Sequence, residues 1–447
     1  MSIIRIGAGA GFQGDRLAPA LDLAERGQLD YLVFECLGER TIASAQQARR
    51  KDPSRGYDPL LERRMRAVLP VCAKNGTRIV TNMGAANPVG AAQHTARIAR
   101  ELGLSGLKVA AVTGDDVLDR IGRFVLDETG APASELGDRL VSANAYVGID
   151  GLVEALAGGA DVVICGRASD PTLFLAPLVH EFGWARDDWE KLGRGVLIGH
   201  LLECAAQITG GYFADPGVKD VPDLANIGHP LAEVDAEGNA TITKLPGTGG
   251  RITRATCIEQ LLYEIHDPAR YLQPDVVADF SSVDFHDLDP DRIGVSGAGG
   301  TPATGQLKVS VGYRDGWIGE GQISYAGANC VARGQLAIET VRARLAPYGA
   351  QMFDERGEMV GVNSVWPGAR AAADTPEVRV RCAARCADSD TARRVVEEVE
   401  GLYLAGPAGG GGATGTVREV LAIASTLMPA NAVTSGVEML EVHRETA

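Results

Sequence analysis

Along the first 185 residues, short β-branched or aliphatic runs alternate with stretches whose apolar residues recur every three or four positions. Runs of the first kind fit buried strands and stretches of the second kind fit amphipathic helices. Six strands are predicted: IIRIGA at 3–8, DYLVFE at 30–35, TRIVTN at 77–82, LKVAAVT at 107–113, LVSANAYV at 140–147 and ADVVICG at 160–166. Segments such as LAPALDLAER and AAQHTARIARELG supply helices between them. Strands alternating with helices argue for a mostly parallel sheet flanked by helices, an α/β fold with right-handed crossovers.

A further helix is expected over 190–215, ending at a Gly-Gly stop and carrying His200 and Glu203 on one face. That pair reads as half a metal site, as an acid/base pair, or as a surface or interface pair. Beyond residue 225 the texture changes to longer, more polar strands with interspersed helices, including ATCIEQLLYEI and ANCVARGQLAIETVRARLAPYG. Asp315-Gly316, between β-branched flanks, predicts a hairpin turn. We therefore expect an α/β domain over 1–215 and a second, α+β domain over 225–447, with residues 210–225 as the linker.

Composition narrows the class. A formal charge of −15 disfavours nucleic acid and anionic membranes as partners. The start has no basic segment followed by an apolar one, so a cytoplasmic location is expected. The eight cysteines are scattered without a CxxC, which points to buried, reduced thiols. Glycine, at 56 of 447 residues, promises tight turns and backbone-lined sites.

Ligands of open α/β sheets gather beyond the carboxyl ends of the strands. The residues there are Gly9 to Asp15, Glu35 with Cys36, Asn82 with Asn87, Asp115 with Asp116, Asn144 with Tyr146, and Arg167 with Ser169 and Asp170. Caps and turn formers occupy such positions too. Gly9, Gly11 and Gly14 have the spacing of a dinucleotide fingerprint, with Glu35 as its acid; a tight turn for another anionic ligand is the alternative. The loops Lys244–Arg251 and Gly406–Gly412 are both expected to precede helices, the second around TVREVLAIASTLM, where backbone N–H groups could hold an anion or glycine could simply relieve crowding.

The segments IGAGAGFQGDR, FECLGERT, TNMGAANP, ICGRASDPTLF, PGTGGRITRATCIEQLLYEI with PDVVADFS, and YLAGPAGGGG resemble, in the same order, the acyclic terpene utilisation AtuA-like family. The resemblance implies work on branched carboxylic acids or their coenzyme A thioesters. It also implies a small ferredoxin-like domain that many relatives carry at the C-terminus and that a separate partner subunit would supply here. It places the site at Gly9, Gly11, Asp15, Glu35, Asn82, Asn87, Arg167, Ser169 and Asp170, with Gly409, Gly410 and Gly411 as a wall.

The expected chemistry is that of a hydratase or dehydratase: proton transfer beside a carbonyl in a small-molecule carboxylate or acyl-CoA. Arg167 would clamp a carboxylate, Glu35 or Asp170 would act as base, and Asn82 with the Gly9–Gly11 amides would steady an enolate oxygen. A divalent metal on Glu35, Asp115 and Asp170 would change this to Lewis-acid catalysis. Coenzyme A would enter only as part of the substrate, and a homo-oligomer is expected. The competing class is a non-catalytic subunit that binds coenzyme A or a metabolite and docks a small partner.

Overall fold

The computed structural model describes residues 3–372 and 375–443. The chain forms two compact units, one running to Gly312 and resuming at Ile423, the other Tyr313–Ala422. The first begins with β1 (Ile4–Ala10), α1 (Ala18–Arg26), β2 (Tyr31–Phe34), α2 (Glu39–Lys51), α3 (Leu61–Asn75), β3 (Arg78–Thr81), α4 (Pro88–Glu101) and β4 (Lys108–Thr113). It goes on through β5 (Leu140–Ala145), α5 (Asp150–Ala157), β6 (Val162–Cys165), α6 (Thr172–Phe182), α7 (Trp189–Leu202), β7 (Pro230–Val234), β8 (Ala240–Lys244) and α8 (Arg254–Leu262). Then come β9 (Tyr271–Leu272), β10 (Val276–Asp279), β11 (Asp284–Asp289), β12 (Arg292–Ser296), β13 (Gly299–Pro302) and β14 (Gln306–Ala326), along which the chain passes into the second unit.

The fold is mixed α/β, built on a ten-stranded sheet of order β11-β12-β8-β7-β1-β2-β3-β6-β4 with β18 (Gly436–Glu441) at the far edge. Only β1, β2, β3, β6 and β4 run parallel; β7 and β18 are antiparallel to their neighbours on either side of this block. Strand β2 is buried along its whole length, as a strand covered on both faces must be. Leu32 and Phe34 pack with residues of α1, α3 and α4, whereas the Tyr31 hydroxyl donates to Glu181 of α6. Because successive side chains of a strand face opposite ways, α4 and α6 cover opposite faces. Strand β6 lies between β3 and β4, so the chain turns to opposite faces after the adjacent strands β3 and β6, and the carboxyl ends of such a pair are where open α/β sheets place their ligands.

All six strands predicted for the N-terminal part are present, but β5 leaves this sheet to pair with β14, where the Tyr146 N–H donates to the Lys308 carbonyl at 2.9 Å. The compact units do not divide at 210–225. Hairpins β7–β8 and β11–β12 extend the first sheet beyond β1, covering an edge that would otherwise expose unpaired backbone groups.

In the second unit the second half of β14 is followed by α9 (Cys330–Leu345), β15 (Met352–Val360), β16 (Glu377–Cys386), α10 (Ser389–Glu400) and the first part of β17 (Gly411–Pro429), along which the chain returns to the first unit, with sheet order β15-β16-β14-β17. The βαββαβ order is that of a ferredoxin-like unit.

Two expectations fail here. Asp315-Gly316 makes no hairpin: β14 runs straight through it, and a Cβ at Gly316 would stand 2.4 Å from the Cys386 carbonyl oxygen, so the glycine permits close approach to β16. Gly406–Gly412 precedes no helix, because TVREVLAIASTLM lies in the 19-residue strand β17. Its β-branched residues serve a strand better than the i, i+3 apolar spacing serves a helix. Cys382 and Cys386 share the buried face of β16, as their even spacing predicts.

Candidate functional site

Glu35 follows β2 directly and is buried. Its Oε1 accepts from the Leu37 N–H at 2.8 Å and from Asn82 Nδ2 at 2.9 Å. Asn82, just past β3, is fixed in turn because its Oδ1 accepts from the Cys36 N–H at 2.8 Å. The adjacent parallel strands therefore hold one carboxyl by two donors. Burial raises its proton affinity above that of an ordinary carboxylate, and the Arg167 cation, the Leu37 N–H and Asn82 oppose this only in part.

Arg167 follows β6 and is 1% exposed. Its guanidinium donates to the carbonyls of Leu37 and Ala168 and pairs with Asp170, while its plane lies 4.4 Å from the Tyr146 ring centre. The expected carboxylate clamp is therefore not available, since four N–H contacts of a five-donor group go to protein acceptors. Arg167 instead ties the loop after β2 to the loop after β6 and sets a positive charge near Glu35. Asp170, with 36% of its side chain exposed, neutralises that cation and is a weak choice of base.

Asp115, at the end of β4, accepts from the Arg167 N–H at 2.9 Å and from Asn144 at 2.8 Å. Burial lifts it to about 6 against these hydrogen bonds. The folded state then binds this proton more tightly than the unfolded chain, so stability falls as pH rises from about 4 through about 6. Asp115→Asn keeps an acceptor oxygen and removes the charge. The variant should gain up to about 3 kcal/mol on wild type between pH 4 and pH 7.5, read by denaturant unfolding at both pH values. Parallel curves for the two proteins would refute the assignment.

The glycine-rich start is closed against protein. Gly9 lies in β1 beneath the Phe34 ring, and a Cβ at Gly11 would stand 2.5 Å from the Cys204 carbonyl carbon. Asp15 accepts from the N–H groups of Gly11 at 2.9 Å and Arg16 at 2.7 Å, and buried Arg64 donates to the Gln13 carbonyl at 2.8 Å. Helix α1 begins only at Ala18, so no helix N-terminus follows Gly14 as a dinucleotide turn requires.

Ser169 donates to Gln273 Oε1. Asn87 caps α4 through the Gly90 N–H at 3.1 Å and donates to the Pro53 and Arg55 carbonyls, a structural role. Gly409, Gly410 and Gly411 belong to the second unit. The structure thus links Glu35, Asn82, Arg167 and Asp170 in one hydrogen-bonded network and gives Asn87 and the late glycines other duties.

The thiols of Cys36 and Cys165 are pushed up by burial, which disfavours a thiolate nucleophile at either. Among the described residues no group of three or more His, Cys, Asp or Glu side chains is placed to hold a metal ion. Glu35, Asp115 and Asp170 do not fit one, since Asp115 and Asp170 are turned to Asn144 and Arg167.

Sequence reasoning weighed His200 and Glu203 but did not place them in the site. Helix α7 ends at Leu202, short of the expected 215, and both side chains are buried. Tyr271 and Gln273, from the short strand β9 and the turn after it, were missed altogether; nothing local marks them.

A profile of the family described as acyclic terpene utilisation family protein AtuA matches residues 4–439. The chain belongs to this family. The match includes every residue of the Glu35 network and spans both compact units. No curated protein and no solved structure matches the chain. No helix of this AtuA-family chain, among the described residues, is long and apolar enough to cross a membrane.

Proposed function

We propose that this AtuA-family protein is an enzyme of branched carboxylic acid or acyl-CoA catabolism, of hydro-lyase type, that moves a proton beside a carbonyl. Glu35 carries the reading: a buried carboxyl at the end of a parallel strand, oriented by Asn82 and the Leu37 N–H and raised in proton affinity by burial. A carboxylate whose proton affinity is raised in this way is a stronger base toward carbon than an ordinary one. The Arg167 charge favours negative charge developing nearby while remaining fixed by its own partners. The family description, acyclic terpene utilisation, suits branched carbon skeletons.

The test is proton exchange at carbon. Wild-type protein in D2O with 3-hydroxy-3-methylglutarate, or its coenzyme A thioester, should incorporate deuterium beside the carbonyl and release water. Glu35→Gln should do neither. Thermal stabilisation by these probes without exchange in any variant would favour a non-catalytic subunit that binds coenzyme A or a metabolite and docks a small partner.

A further inference from the structure

His200 and Glu203 make a second buried acid/base pair. His200 Nδ1 lies 3.0 Å from Glu203 Oε1, and His200 Nε2 lies 3.2 Å from the Leu261 carbonyl oxygen. A carbonyl only accepts, so Nε2 carries a hydrogen. The Nδ1–Oε1 contact then requires one more proton, held as imidazolium against carboxylate or as imidazole against carboxylic acid. In either form the pair stores one transferable proton. The imidazole is fixed by Tyr271 and Phe280, whose ring centres lie 5.4 and 5.9 Å away.

The other oxygen, Glu203 Oε2, is buried and has no hydrogen-bond partner. An orphaned buried carboxyl oxygen is costly and calls for an explanation. Its surroundings give one. The Cβ positions of Gly11 and Gly199 show that Cys204 packs on the loop leaving β1, and that the last turn of α7 packs on Pro171, next to Asp170. Glu203 therefore stands at the same end of the sheet as Glu35. Glu203 raises the proton affinity of Glu35, and the Arg167 cation acts on both. Glu264, Cys204 and Tyr271 are further ionisable groups that interact with Glu203.

We propose that Glu203, its proton held and oriented by His200, is the second proton-transfer group of the Glu35 site. This rests on the acid/base reading above. Glu35 takes the proton from the carbon beside the carbonyl, and the C–H electron pair becomes an enolate and then the new C=C bond. The C–O bond breaks, its electron pair leaves with the hydroxyl, and the Glu203 proton completes water. Glu203 is then the catalytic acid and His200 a positioning residue.

The two roles separate experimentally. With 3-hydroxy-3-methylglutarate and its coenzyme A thioester in D2O, Glu203→Gln should keep deuterium incorporation within a few-fold of wild type while water release falls by about 100-fold or more. Equal losses of both, or loss of neither, would overturn the proposal. His200→Gln should shift the pH profile of water release and leave that of exchange in place.

If wild type exchanges nothing, the acid/base reading fails, and NMR titration of the His200 ring nitrogens still decides whether the pair shares a site with Glu35. Replacing Glu35 with Gln removes a neighbouring negative charge, so the pair should lose its proton at lower pH than in wild type. An unchanged midpoint would place His200 and Glu203 outside the site.

Discussion

Glu35→Gln should lower kcat/KM for proton transfer at carbon by roughly 10²- to 10⁴-fold, the range spanned by a positioned general base. The carboxamide keeps an oxygen for the Leu37 N–H and Asn82 Nδ2, so folding should be preserved and thermal denaturation should show no large change. The sign of the pH dependence is fixed by the raised proton affinity of Glu35. A base works when deprotonated, so wild-type activity should climb with pH along a limb lying above the ordinary carboxylate range, and that limb should be absent from the residual activity of the variant. An unchanged profile in Glu35→Gln would assign the proton transfer elsewhere.

Arg64→Met should produce the largest loss of stability of any single side-chain exchange near the site, roughly 3–5 kcal/mol. The guanidinium is 2% exposed, lies 3.3 Å from the equally buried Asp58, and donates to Cys36 Sγ at 3.1 Å and to the Gln13 carbonyl at 2.8 Å. Removing it strands the Asp58 carboxylate, whose proton affinity burial already raises, and frees the loop between β1 and α1. Asp58→Asn in the same chain should recover much of the loss, since the uncompensated charge is then gone. Arg66→Met, two residues on, removes surface pairs with Glu62 and Glu101 and should cost far less than the loss at Arg64, because solvent screens exposed charges. Denaturant midpoints of the four proteins check the ordering; equal losses at Arg64 and Arg66 would show that burial does not set the energy.

Much of the site was readable because the first unit obeys local rules. Strand β2 is a continuous apolar run that ends at Glu35, and β6 ends just short of Arg167, so position after a strand identified both residues before any contact was known. The role of Arg167 was not readable in this way. A lone arginine at a strand end suggests an acidic ligand, but the Leu37 carbonyl that occupies it lies 130 residues away in sequence. His200 and Glu203 were visible as an i, i+3 pair, but spacing does not report depth, and only packing against Tyr271 and Phe280 makes the pair a buried one.

The order of strands and helices in the first unit, the run of acids and amides at strand ends and the membership of the AtuA family were set by the sequence itself, because periodicity and motif order are properties of neighbours along a chain. The tertiary structure decided the rest: the antiparallel strands added on both sides of the parallel block, the path of β14 through Asp315-Gly316, and the division of the carboxyls into paired, capped and orphaned. Those outcomes depend on long-range partners and on burial. The same aspartate or glutamate is a cap, an ion pair or a proton carrier according to which distant backbone comes within 3 Å of it and how much water is left.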